Sequence, residues 1–283
     1  MEAKELNELK ILSAKIRVSV LKMLKWRTYG HLGGAMSIVE LLSTLYGKHL
    51  RHDPSNPNWE ERDYLVLSKG HAGPGLYAAL ANNGYFEEEL LYTLNEGGTK
   101  LPSHPDRGLT PGVDATTGSL GQGTSVAAGL GYAFRKEQNN QYIYLVVGDG
   151  ELNEGQCWEA FQFIAHNKLN NVIVFIDENK RQLDGFTVDI MNPFDIQAKM
   201  KAFGFHTQKV DGSSELEISN AIDQAKKIED KAVCIVLDTI KGQGVRYFEE
   251  LVDNHSVKFG EKECLAADDA IKELEGFILK GGE

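Results

Sequence analysis

Residues 142–179, YIYLVVGDGELNEGQCWEAFQFIAHNKLNNVIVFIDEN, constrain the fold more than any other part of the 283-residue chain. The apolar run 142–147, ended by glycine, reads as a fully buried strand. Gly148-Asp149-Gly150 follows as a tight turn, because glycine adopts positive φ freely and lets a ligand approach the backbone. Residues 154–166 space Trp158, Phe161, Phe163 and Ile164 mostly as a helix, and 172–176 form a second buried strand with Asn179 just beyond it. A β-α-β unit of this kind requires parallel strands and a right-handed crossover. Asp149 and Asn179 then leave the same carboxyl edge of the sheet, where open α/β sheets bind ligands.

A carboxylate and a carboxamide converging beside a glycine turn suit a hard cation that carries a diphosphate. Mg²⁺ takes octahedral oxygen ligands and uses one or two carboxylates, leaving the other positions to phosphate and water. Backbone N–H groups at Gly150 and the following helix N-terminus can receive the phosphate oxygens. GDG alone more often marks a plain strand-to-helix turn, but here an Asn follows Asp149 by 30 positions, past a second buried strand. The stretch resembles the thiamine-diphosphate motif, and GDGELNEGQCWEA is similar to the corresponding segment of transketolases. The resemblance implies thiamine diphosphate and Mg²⁺ as cofactors, with Ca²⁺ or Mn²⁺ as substitutes. It implies a metal shell of Asp149, Asn179 and the main-chain carbonyl of Arg181, with Gly150 and Asn179 also at the cofactor. Lys180-Arg181 departs from the Gly or aliphatic residues usual in the family at this pair.

Further segments resemble the same family in the same order. Leu9, Leu12, Ile16, Val20 and Met23 predict a long amphipathic helix over 4–26. Tyr29-Gly-His-Leu-Gly-Gly breaks it, and Ser37 is expected to open a second helix with Glu40 completing a capping box. His31, in that glycine-rich loop, is either a solvated side chain or, by resemblance to the family's GHPG segment, a contact to the sugar; Leu32 stands where the proline would be. LSKGHA, 67–72, follows a short buried strand over 64–67 and resembles LSxGHG, which implies that His71 approaches the cofactor diphosphate. Lys69 is expected in solvent. A short helix is expected over 87–96. His104-Pro105 matches a GHPE segment whose histidine reaches towards the reacting carbon. TTGSLGQG, 116–123, matches TTGPLGQG, which implies that Gly118, Ser119 and Leu120 line the cofactor, with Ser119 replacing proline. Residues 125–134, rich in small side chains, fit a tightly packed helix. TIKGQGV, 239–245, resembles the family's TxxGxG turn, and His255 stands where a histidine serves cofactor and substrate phosphate. Glu154 and Glu159 occupy the first turns of the helix after GDG, where acids suit the helix dipole; family glutamates at these positions lie between paired active sites.

Helices over 194–203 and 214–228 and strands over 207–210 and 232–237 continue the alternation. The fold predicted is α/β, an open, mostly parallel sheet with helices on both faces, in a single diphosphate-binding domain over 1–283. The formal charge of −11 argues against a nucleic-acid or anionic-membrane partner, and no apolar run reaches membrane-spanning length. Cys157, Cys234 and Cys264 offer neither a disulfide framework nor zinc spacing, and a reducing cytoplasm is expected.

The implied chemistry is two-carbon ketol transfer from a ketose phosphate to an aldose phosphate, the reaction type of the pentose phosphate pathway. His31, His104 and His255 are the candidate proton movers, since imidazole titrates near neutrality. The family's cofactor-activating glutamate and sugar-phosphate arginines belong to a second half with no counterpart here. The expectation is a split enzyme: this chain is the N-terminal subunit, and a C-terminal subunit carrying the pyrimidine-binding domain completes it, as a heterotetramer. The uncovered carboxyl edge should then be apolar. LSKGHA, SHPD and TTGSLGQG favour transketolase over 2-oxo acid dehydrogenase subunits and deoxyxylulose phosphate synthase. Alternatives are a split transketolase for a sulfo- or branched sugar, and a non-catalytic scaffold subunit; the joint presence of Asp149, Asn179, His71 and His104 argues against the second.

Overall fold

The structure, a computed structural model, describes residues 1–282. Strands β1 (Tyr64–Leu67), β2 (Ile143–Gly148), β3 (Val172–Glu178), β4 (His206–Asp211) and β5 (Val233–Asp238) form one sheet in the order β1-β2-β3-β5-β4, with every neighbouring pair parallel. The central strands are continuously apolar because both faces of a parallel sheet are covered. Tyr144, Val146, Ile173 and Phe175 face one layer, built by α1 (Ala3–Arg27), α2 (Val39–Thr44), α3 (Gly73–Asn82), α7 (Glu215–Ala225) and α8 (Glu261–Leu279). The alternate residues Leu145, Val147, Val174 and Ile176 face α4 (Gln122–Lys136), α5 (Gly155–His166) and α6 (Ile196–Ala202) on the other side. The α/β expectation, with helices on both faces, holds, and the sheet is parallel throughout. No helix among the described residues is long and apolar enough to cross a membrane.

Helix α1 forms as its spacing predicts and buries Leu9, Ile16, Val20 and Met23. Thr28, in the left-handed region at φ 63°, ends it by returning its N–H to the Lys25 carbonyl. The expected capping box at Ser37 is absent. Ser37 ends a one-turn helix, Gly33–Met36, and Ile38 precedes α2 without a side-chain cap. Both side chains are drawn inward instead: Ser37 Oγ donates to Asp177 at 2.7 Å, and Glu40 accepts from Arg17 at 2.6 Å and Gln243 at 2.9 Å. The segment expected as a helix over 87–96 narrows to a 3₁₀ turn, Glu88–Thr93.

The β2–α5 turn also differs in its reason for glycine. Neither Gly148 nor Gly150 has a positive φ. Gly150 is needed for room, since a Cβ there would lie 2.8 Å from Gln182 Cβ. That gap brings the turn after β2 against the turn after β3, so the two strand ends share one site.

Candidate active site

Asp149 follows the last residue of β2 and is buried. Its carboxylate accepts from the amides of Gly150 at 2.8 Å and Lys180 at 2.7 Å. Lys180 takes a left-handed conformation, φ 65°, just past β3. Burial first, then the charge of Asp177, push the Asp149 carboxyl up to about 7, and the two amide bonds only partly offset them. Asn179 is fixed from both ends: Nδ2 donates to Asp177 Oδ2 at 2.8 Å and Oδ1 accepts from the Arg181 amide at 3.1 Å. A carboxamide oxygen has two acceptor positions, so Oδ1 keeps one free.

Asp177, at the β3 end, is fully buried and surrounded by donors: Lys69, Thr239, Ser37 and Asn179. Burial alone would raise its carboxyl, but the Lys69 charge and these hydrogen bonds outweigh it and hold it below the usual carboxylate range. Lys69 is therefore not in solvent as its sequence context suggests. It is wholly buried beneath the site, paired with Asp177.

Above this layer a cavity of about 350 Å³ is lined by both turns and the flanking loops. Four half-buried histidines converge on it. His31 lies 5.6 Å from His104, 6.0 Å from His71 and 5.3 Å from His255, and His71 lies 4.8 Å from His255, between ring centroids. Burial lowers all four: His71 well below its ordinary value, His255 to about 3 with Lys241 as the second cause. They are neutral imidazoles at pH 7, able to donate and to accept.

Lys241 has no counterpart in the sequence reading. Its ammonium is buried, donates to His255 Nδ1 at 3.1 Å and the Gln182 carbonyl at 3.2 Å, and forms no ion pair among the described residues. Burial, then the Lys69 charge, lower it to about 8. A buried cation without a counter-ion, facing a cavity, fits an anionic group such as a diphosphate. The signal in the sequence is its place in Lys241-Gly-Gln-Gly, where flanking glycine allows close backbone approach.

Glu151 also escapes the sequence reading. Its buried carboxylate accepts from Ser68 Oγ at 2.5 Å, Gly121 N at 2.8 Å and Gly148 N at 3.1 Å. It therefore ties together the loops after β1 and β2 and the loop entering α4. The first and last of these also touch through backbone: a Cβ on Gly70 would lie 2.7 Å from Gly118 N. Gly118 itself has φ 150°, which favours glycine.

The cavity thus gathers His31, His71, His104, His255, Gly118, Leu120, Asp149, Gly150, Asn179 and Arg181, with Glu154 at its rim before α5. Ser119 and Glu159 are exposed and outside that lining. The Arg181 guanidinium is engaged elsewhere, donating to the Leu251 carbonyl at 2.8 Å and lying 4.5 Å from the centre of the Phe186 ring. No three His, Cys, Asp or Glu side chains form a metal cage among the described residues. An ion here would meet one carboxylate with amide and carbonyl oxygens, a donor set that fits Mg²⁺ rather than a thiolate- or imidazole-seeking metal.

The family description "Transketolase, thiamine diphosphate binding domain" matches residues 9–275. The chain belongs to the transketolase family. It is 49% identical over 247 residues to a 6-deoxy-6-sulfo-D-fructose transketolase subunit of Clostridium sp. (strain MSTE9), covering 87% of this chain and 88% of that one. It is 39% identical over 243 residues to an apulose-4-phosphate transketolase subunit of Actinobacillus succinogenes, covering 85% and 87%. The transketolase structure from Campylobacter jejuni superposes with a TM-score of 0.85 at 30% identity, covering 100% of this chain and 47% of that one. The match spans 88% and 87% of the two transketolase subunits and about half of the Campylobacter jejuni transketolase.

Proposed function

We propose that this chain, over 1–283, is the diphosphate-binding domain and N-terminal subunit of a two-chain transketolase that uses thiamine diphosphate and Mg²⁺ to move a two-carbon ketol unit between sugars. The observation that carries the reading is one cavity holding the Asp149–Asn179 pair, an uncompensated Lys241 and four neutral histidines. Asp149, Asn179 and the Arg181 carbonyl would hold the ion; His71, Gly118, Leu120, Gly150 and Lys241 would hold the diphosphate side, with Ser119 a further residue assigned there by motif. The cofactor, when bound, supplies the nucleophilic carbon. His31, His104 and His255 bind substrate hydroxyls and move protons at them, roles a neutral imidazole performs in either direction. Glu154 and Glu159 connect this site to a second one in a heterotetramer located in the cytoplasm. A C-terminal subunit with the pyrimidine-binding domain supplies the cofactor-activating group.

The test is to purify this chain with Mg²⁺ and thiamine diphosphate and assay ketol transfer alone, then with the companion chain. Transfer should require both, and substantial activity from this chain by itself overturns the reading. A sulfonated ketose donor is favoured over a phosphorylated one by the 49% identity to the 6-deoxy-6-sulfo-D-fructose transketolase subunit. The two donors differ at the distal anion, one negative charge on a sulfonate against nearly two on a phosphate ester. Comparing kcat/KM for 6-deoxy-6-sulfofructose and fructose 6-phosphate in the assembled enzyme decides between them.

A further inference from the structure

Asn254 stands one residue before His255, is 1% exposed and lies outside the cavity lining. Its carboxamide directs both N–H groups at backbone carbonyls, that of Lys241 at 2.8 Å and that of Phe248 at 2.9 Å. Its own main-chain carbonyl accepts from the Gly33 amide at 2.9 Å, and the Gly33 carbonyl accepts from the Gly242 amide at 3.1 Å. Three stretches of chain therefore meet at this residue: the loop that carries His31, the turn that carries Lys241 and the segment that carries His255. Gly33 is fitted to the junction, since a Cβ there would lie 2.4 Å from the Asn254 carbonyl oxygen and 2.8 Å from Lys241 Cγ.

We propose that Asn254 is a positioning residue for the cavity, setting Lys241 and His255 against each other and both against His31. What the three groups bind rests on the function proposed above; their placement does not. Lysine reaches its target on a flexible four-carbon stem, so its head is placed no better than its backbone. The Lys241 ammonium has only the His255 ring at 3.1 Å and the Gln182 carbonyl at 3.2 Å to steady it. Asn254 grips the Lys241 backbone with its side chain and leads directly into His255 with its main chain. One residue thus fixes both ends of the Lys241–His255 contact. Through Gly33 it also reaches the loop of His31, whose ring lies 5.3 Å from that of His255. A ligand site needs its groups held to within about 0.5 Å, and an error of about 1 Å set by a residue remote from the chemistry can cost about 100-fold.

The test breaks the junction from both sides. Asn254→Ala removes the two donors, and Gly33→Ala wedges the Asn254 carbonyl aside while leaving those donors in place. In the isolated chain without ligand, both should shift the imidazole NMR signals of His31 and His255. Amide exchange of Gly242 should speed up at least about tenfold while the amides of 145–147 in β2 keep their protection. In the assembled enzyme, calorimetric affinity for thiamine diphosphate with Mg²⁺ should fall about fivefold in Asn254→Ala. Made in the Lys241→Met background, the same change should cost less than about twofold, because the group it places is gone. Unmoved ring signals in a chain whose β2 amides stay protected overturn the proposal. So do equal losses in the two backgrounds, which make Asn254 a support of the fold alone. If Asn254→Ala loses the β2 protection, Gly33→Ala decides by the same signals, and loss of that protection in both variants overturns the proposal as well. A wild type without affinity for thiamine diphosphate removes the proposed function, while the ring signals of the ligand-free chain still decide the role of Asn254.

Discussion

Two carboxylates stand side by side where β2 and β3 end, and the protein provides for them in opposite ways. Asp177 has a buried lysine and hydrogen bonds from two hydroxyls and an amide, and its carboxyl is held below the usual range. Asp149, equally buried, has two backbone amides and no cation, and its carboxyl is pushed up to about 7. The difference separates architecture from site. A buried charge with its partner built in holds the fold together, whereas one left short of positive charge keeps the capacity for an added ion that the proposed Mg²⁺ site requires.

The strongest way to break this contrast is Lys69→Met. If Asp177 is structural, removing its only cation strands a buried charge and should cost about 3–5 kcal/mol, a Tm fall of roughly 10 °C. The double variant Lys69→Met/Asp177→Asn should recover part of it. A single variant as stable as wild type would dissolve the distinction. Asp149→Ala should do the reverse. Thermal stability of the isolated chain should hold or rise, while Mg²⁺-dependent affinity for thiamine diphosphate in the assembled enzyme should fall at least about 100-fold, the upper range even for outer-shell residues. Calorimetric titration reads the affinity, and unchanged binding removes Asp149 from the ion site.

Lys241 sharpens the comparison as the cation that Asp177 does not take. With its ammonium lowered to about 8, it is charged at pH 7 and loses its proton as pH rises through 8. Affinity for thiamine diphosphate should therefore fall above pH 8 in the wild type. Lys241→Met should be about tenfold weaker at pH 7, the cost of one charge-assisted hydrogen bond, and should lack that decline. A pH series of binding isotherms checks both statements. Smallest is Glu151→Gln, which sets an amide N–H₂ against one of three donors and should cost about 1–2 kcal/mol in stability with a modest loss of cofactor affinity. If affinity falls without any change in Tm, Glu151 belongs with Asp149 rather than with Asp177.

The sheet and its ligand edge are legible because apolar runs ended by glycine leave few alternatives to a buried parallel strand, and because Asp149 and Asn179 fall just past such runs. The histidines are legible only through their motifs. No periodicity announces that His31, His71, His104 and His255 meet, since they come from four separate loops. Lys69 is misplaced by its local context because a lysine at a strand end usually reaches water, and its partner lies 108 positions away. A clue is present in Asp177 itself, an acid inside the apolar run IVFIDEN, which must find a counter-charge once buried. Ser37 and Glu40 read as a local pair and prove to be two ends of long-range contacts. Local patterns reveal which elements form, but they do not reveal which buried charges answer one another.

The spacing of the histidines has one more consequence. Rings 4.8 to 6.0 Å apart feel one another's charge, and each of His31, His71 and His255 is lowered in part by a neighbouring histidine. The first proton to enter the group makes the second harder to add, so the rings titrate as a coupled set. If these rings move protons as proposed, inflections in a pH–rate profile belong to the set and not to one ring. Replacing one member will shift the apparent values of its neighbours, so a single substitution reports on the set and not on one ring.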